Sequence, residues 1–190
     1  MRAVHWWPPV AAVGLVALGL AVGNGTTSLD TWFHDTYLAH QWLGQLLIVT
    51  DARVQIAGWL IVSAVAVLRR RWRVAVVVVV TPPVAVMTAR LAKRVFGRYR
   101  DDALAYPSGH TTLLVAVLGM ALLVFGVTLW SCALAAVVAA LGALGQGFTF
   151  HYFTDTIGAL LLGSALVCIA AWAAGLDRCQ PRCDPHHSNG

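Results

Sequence analysis

The sequence predicts an all-α fold, a polytopic membrane bundle of six transmembrane helices with one amphipathic helix at the membrane interface. Three observations predict it. Of 190 residues, 59% are hydrophobic and only 11% are charged, against about a quarter charged in an ordinary soluble domain. The apolar residues gather in runs close to the roughly 20 residues that a helix needs to cross the hydrocarbon layer. The breaks between runs collect the Asp residues and most of the Arg residues. No room is left for a separate soluble domain, so residues 1–176 are read as one membrane domain and 177–190 as a polar tail, expected to be disordered.

The first apolar run follows MRAVHWWPPV and extends from about Pro8 to Val22. A lone Arg before an apolar run also opens secretory signal peptides. No convincing small-residue cleavage site follows and further spans do, so the run is read as the first span. GNGTTSLD ends it. Thr27, with Asp30 three residues later, has the form of a capping box that starts a helix. Apolar residues from Leu29 and Trp32 to Leu43 and Leu46 then recur near helical spacing between polar ones. They predict the interfacial helix over about 29–48, with His34, Asp35 and His40 on its solvated face. The second span covers about 52–68 and ends in RRRWR. The third covers about 72–92, with a kink expected at Pro82–Pro83. A polar loop, KRVFGRYRDDALAYPSGH, separates it from spans at about 109–126, 131–149 and 156–174.

Six spans put both termini on one side. Under that topology Arg2, Arg69, Arg70, Arg71, Arg73, Arg178 and Arg182 fall together, which makes their side cytoplasmic by the positive-inside rule. Trp6, Trp7, Trp72, Trp130 and Trp172 mark the same boundary. The net charge of +5 is therefore an anchoring pattern, and no nucleic-acid partner is expected. The partners expected are membrane lipids and a lipid phosphate. No feature sets an oligomeric state.

Against this bias, Lys93, Arg94, Arg98 and Arg100 fall on the opposite face. The chain has no Glu, and of its 13 basic residues only Lys93 is a lysine. The same face collects Ser108, Gly109 and His110 at the start of the fourth span, and His151 with Asp155 between the fifth and sixth. A basic cluster beside a helix N-terminus traps anions, because free N–H groups and the helix dipole point at the ligand. Ser108 suits the N-cap, and Gly109 lets a ligand approach. His151 and Asp155, four apart, share one helical face, so the carboxylate can fix the tautomer of the imidazole. His110 can protonate a leaving alkoxide. Two histidines, a carboxylate and a positive cradle suffice for phosphoryl transfer, with Lys and Arg supplying the charge stabilisation and no metal or other cofactor called for.

This set resembles the type 2 phosphatidic acid phosphatase superfamily of membrane lipid phosphatases and vanadium haloperoxidases. Its first motif, K-x6-R-P, is matched by KRVFGRYRD from Lys93 to Arg100, with Asp101 where Pro is usual. Its second, P-S-G-H, is intact at residues 107–110. Its third, S-R-x5-H-x3-D, keeps His151 and Asp155, but Leu144-Gly145 stands where Ser-Arg is expected. The resemblance implies that His151 attacks phosphorus to give a phosphohistidine, that Asp155 orients it and that His110 is the general acid. It implies further that Lys93, Arg100, Ser108 and the Gly109 amide hold the phosphate oxygens. The absent Arg removes a contact of the kind worth about 2–4 kcal/mol in the transition state. Arg94, Arg98 and Gln146 are the candidates to replace it.

The function expected is hydrolysis of a lipid phosphomonoester or diphosphate, with a polyprenyl phosphate, polyprenyl diphosphate or prenyl-linked sugar phosphate preferred, as in recycling a lipid carrier for cell-wall building. Phosphatidate or phosphatidylglycerophosphate is the alternative substrate. A non-catalytic lipid-phosphate binder and a lipid phosphotransferase are the alternative classes. The site is expected at the outer face of the plasma membrane. Arg90 is open to either the cradle or the headgroups, and the headgroups are expected. Cys179, Cys183, His186 and His187 lack the tight pairing and folded module of a structural zinc site.

Overall fold

The computed structural model describes residues 2–176. The tail with Arg178, Cys179, Arg182, Cys183, His186 and His187 lies outside the described residues. Helix α1 spans Arg2–Val22, α2 Ser28–Ala39, α3 Ala52–Leu68, α4 Trp72–Phe96, α5 Gly109–Phe125, α6 Leu129–Phe148 and α7 Phe153–Ala173. A ten-residue 3₁₀ segment, Gln41–Thr50, joins α2 to α3. Five stretches are long and apolar enough to cross a membrane: α1, the 3₁₀ segment with α3, α4, α6 and α7. The predicted fourth span forms α5, an apolar helix of 17 residues, about 26 Å long at 1.5 Å per residue.

The stretch 29–48 is not one helix. Its first half starts as predicted: the Thr27 hydroxyl accepts from the Asp30 amide, and the Asp30 carboxylate accepts from the Thr27 amide. It then breaks at His40, whose backbone leaves the helical region. The reason is tertiary. Phe33 stacks on Phe153 at 4.0 Å and packs on Phe148 at 4.6 Å, which draws α2 onto the ends of α6 and α7. The 3₁₀ segment then returns across α6 into α3.

Helix α4 runs through Pro82–Pro83 as one element and ends five residues or so beyond the predicted span, at Gly97 in the left-handed region, φ 62°. Beyond it a small hairpin, β1 Tyr99–Arg100 and β2 Ala103–Leu104, replaces the expected loop. Asp101 and Asp102 form its two-residue turn at φ 47° and 62°. Such a turn needs positive φ at both positions, which Asp tolerates better than most residues.

Helix α5 packs between α4, α7 and α3, and α1 lies along α7. Close approach relies on small residues, as is usual between membrane helices. A Cβ on Gly158 would stand 2.5 Å from the Tyr106 ring. That ring is buried against Leu15, Ala89 and Leu162, and its hydroxyl donates to the Leu15 carbonyl at 2.6 Å. Near the other end, Val62, Val78, Met120 and Val124 form a second core. There Arg69 donates to the Val124 carbonyl at 2.6 Å, Arg73 approaches Gly175, and Trp6, Trp72, Trp130 and Trp172 are exposed. The bundle thus has an end that carries the α3–α4 turn with Arg69–Arg73 and, opposite it, an end that carries the hairpin, the 3₁₀ segment and the α5 and α7 N-termini.

Candidate active site

At that second end, a cavity of about 390 Å³ opens between α3, α4, α5 and the α6–α7 junction. Its polar lining is Arg90, Lys93, Gly109, His110 and His151, and its apolar wall is Ala52, Val86 and Leu113. Four residues singled out from sequence, Lys93, Gly109, His110 and His151, therefore meet in one space. Ser108 stands behind it. Its hydroxyl accepts from the Thr111 amide and hydroxyl as the α5 N-cap, and its amide donates to the Asp155 carbonyl at 3.1 Å. Ser108 is fully buried, so it sets the helix start and does not line the cavity. A Cβ on Gly109 would meet nothing within 4 Å, which leaves the α5 N-terminus open to a ligand. Gln55 donates to the His110 carbonyl at 3.1 Å and fixes that turn to α3.

His151 is buried, and its Nδ1 faces Asp155 Oδ2 at 3.7 Å. That is an orienting contact longer than a hydrogen bond, and Nδ1 has no closer partner. Burial pulls the His151 pKa below the ordinary histidine value. The Asp155 carboxylate opposes the shift, and Lys93 and His110 add to it. The imidazole is thereby kept neutral near pH 7.

Asp155 has structural ties as well. Its Oδ2 accepts from the Tyr152 amide at 3.1 Å as part of the α7 capping box. Its Oδ1 accepts from Arg98 at 2.6 Å. Arg98, 1% exposed, also donates to Asp30 at 3.0 Å, Thr154 at 2.7 Å and the Gly25 carbonyl at 2.7 Å. Its guanidinium lies over the Tyr152 ring at 4.3 Å. Asp30 in turn accepts from the Thr154 amide and hydroxyl, both at 3.0 Å. Burial raises the Asp30 pKa, but the bonds from Thr154, Thr27 and Arg98 more than offset it and leave it below the usual carboxylate value.

Besides Ser108, four of the predicted phosphate contacts are therefore elsewhere. Arg98 is consumed by two carboxylates and a carbonyl. Arg100 lines a separate cavity with Asp30, His34 and Tyr152, stacks over Tyr152 at 5.0 Å and approaches Asp101 at 3.7 Å. Gln146 is buried and donates to the Thr50 hydroxyl at 2.8 Å. Arg94 is exposed and is not among the lining residues of the His110–His151 cavity. Arg90, expected at the headgroups, lines that cavity instead. It also borders an apolar groove of about 340 Å³ between α3 and α4, walled by Ile56, Trp59, Pro83 and Met87. The two spaces share Val86, Arg90 and Leu113.

The Gly145 departure has a packing cause. A Cβ there would stand 2.9 Å from the Leu46 carbonyl carbon and 3.0 Å from its oxygen. The 3₁₀ segment lies directly on α6 at this point and leaves no space for a side chain. Among the described residues, no group of three or more His, Cys or Asp residues is arranged to hold a metal ion. In comparisons with known proteins, no family model, no curated protein and no solved structure matches the chain.

Proposed function

We propose that the chain is an integral membrane phosphatase of lipid phosphates, working through a phosphohistidine as the type 2 phosphatidic acid phosphatases do. One observation carries this reading: His110, His151 and Lys93 line one cavity at a helix N-terminus, and that cavity shares Val86, Arg90 and Leu113 with an apolar groove between α3 and α4. A phosphate head fits the first and a hydrocarbon chain the second.

In this reading Asp155 holds His151 through Nδ1 and leaves Nε2 for attack. A P–N bond forms as the P–O bond to the lipid breaks, and the electron pair leaves on the lipid oxygen. His110 gives that oxygen its proton. Water then attacks phosphorus, His110 takes the proton back and the P–N bond breaks, releasing phosphate. Lys93 and the Gly109 amide stabilise the charge on the phosphoryl oxygens. A polyprenyl phosphate or diphosphate is the preferred substrate. The site faces the outer side of the plasma membrane and the termini face the cytoplasm, since the Arg69–Arg73 cluster lies at the opposite end of the bundle.

A binder without turnover is the second reading, favoured by Gly145, which has no side chain where the related motif has Arg. Phosphate release by detergent-purified protein from prenyl phosphates, prenyl diphosphates, phosphatidate and phosphatidylglycerophosphate separates the two. Release that is lost in His151→Ala and that survives a chelator is the expected result. Release unchanged in His151→Ala contradicts the mechanism, and no release from any lipid favours the binder.

A further inference from the structure

A phosphate ester seated among Gly109, His110 and His151 brings up to two negative charges into a space with an apolar wall. Lys93 supplies one positive charge, and its ammonium also donates to the Leu104 carbonyl at 2.7 Å. A second cation has to come from the lining, because in such surroundings an unanswered charge is costly. Arg98 and Arg100 are held elsewhere, and Gly145 has no room for a side chain. Arg90 is the other cation on the wall. It precedes Lys93 by three residues on α4, so both project from one helical face.

We propose that Arg90 is the second phosphate-binding cation of this site. The contact that the related motif draws from α6 is drawn here from α4. Arginine suits the place: its planar fork can grip two phosphate oxygens, and its long stem can lie along apolar surface. Because Arg90 also borders the α3–α4 groove, it stands where head meets chain. It thereby sets the orientation of the ester, with the hydrocarbon running along Trp59 and Met87.

The substrate in this proposal rests on the phosphatase reading; the anion contact does not. The test uses the full chain in detergent with Arg90→Ala, Arg90→Lys and His151→Ala. Two quantities are read: kcat and KM on the best lipid phosphate of the panel, and equilibrium binding of inorganic phosphate. Arg90→Ala is expected to lower kcat/KM about 100-fold and to weaken phosphate binding at least about tenfold, with partial recovery in Arg90→Lys. His151→Ala is expected to abolish turnover and retain phosphate binding. Arg90→Ala within about twofold of wild type in both measures overturns the proposal. If the wild type hydrolyses nothing yet Arg90→Ala still weakens phosphate binding tenfold, the phosphatase reading fails and the Arg90 assignment stands. A wild type that neither hydrolyses lipids nor binds phosphate overturns both.

Discussion

His151 and Arg98 approach Asp155 from opposite oxygens of its carboxylate. In the proposed mechanism His151 can attack phosphorus only when neutral. Its pKa in the free protein is held low by burial, with Lys93 and His110 adding and Asp155 opposing, so the acidic limb of the kcat/KM profile is expected below the ordinary histidine value of about 6.5. Asp155→Asn removes the opposing negative charge. It is expected to move that limb to still lower pH while lowering kcat, and a limb that moves up contradicts the assignment. Arg98 is a positioning residue. Removing it strands two buried carboxylates, Asp30 and Asp155, and loss of one partner from such a cluster costs about 3–5 kcal/mol. Thermal unfolding of Arg98→Ala in detergent is expected to show a loss of that size, and an unchanged midpoint contradicts it. Motif spacing singled out His110, His151, Lys93 and Asp155, and the fold brings the first three to one cavity with Asp155 beside His151. The sequence hid the role of Arg98, which lies two residues from Arg100 in a stretch with four cations in eight positions. Spacing cannot tell which of them a buried Asp from α2 will capture.

The helices from α3 onward begin and end within a few residues of their sequence-predicted limits, because apolar runs and Arg or Gly breaks are strong local signals. What local signals miss is the path between α2 and α3. The capping box at Thr27 was legible, but the break at His40 and the 3₁₀ path after it follow from contacts with α6 and α7 more than 100 residues away. That path explains Gly145. Restoring the related motif with Gly145→Arg is therefore expected to fail. The side chain would strike Leu46, so stability should fall with no gain in turnover, measured as unfolding midpoint and phosphate release. A stable, faster variant contradicts the packing account. The α3–α4 groove has its own test. Met87→Trp is expected to raise KM for long-chain lipid phosphates and to leave a short-chain analogue within about twofold, since the obstruction lies beyond the head. Equal effects on both contradict a chain-binding groove.

Across the whole molecule, the Arg69–Arg73 cluster and the candidate site sit at opposite ends. Arg69–Arg73 with exposed Trp6, Trp72, Trp130 and Trp172 occupy one, and the His110–His151 cavity the other. Single cysteines in a cysteine-free background, at exposed Asp102 on the hairpin and exposed Arg70 in the α3–α4 turn, are expected to react with an impermeant reagent in whole cells only at position 102. The reverse pattern would turn the site inward. The most direct measurement of the central claim is covalent trapping. The protein is mixed with a ³²P-labelled lipid phosphate and quenched in alkali within the first turnovers. The account predicts an alkali-stable, acid-labile phosphoryl group on the peptide that contains His151, absent from His151→Ala. Phosphate release at full rate with no label on the protein, or label on another residue, contradicts it.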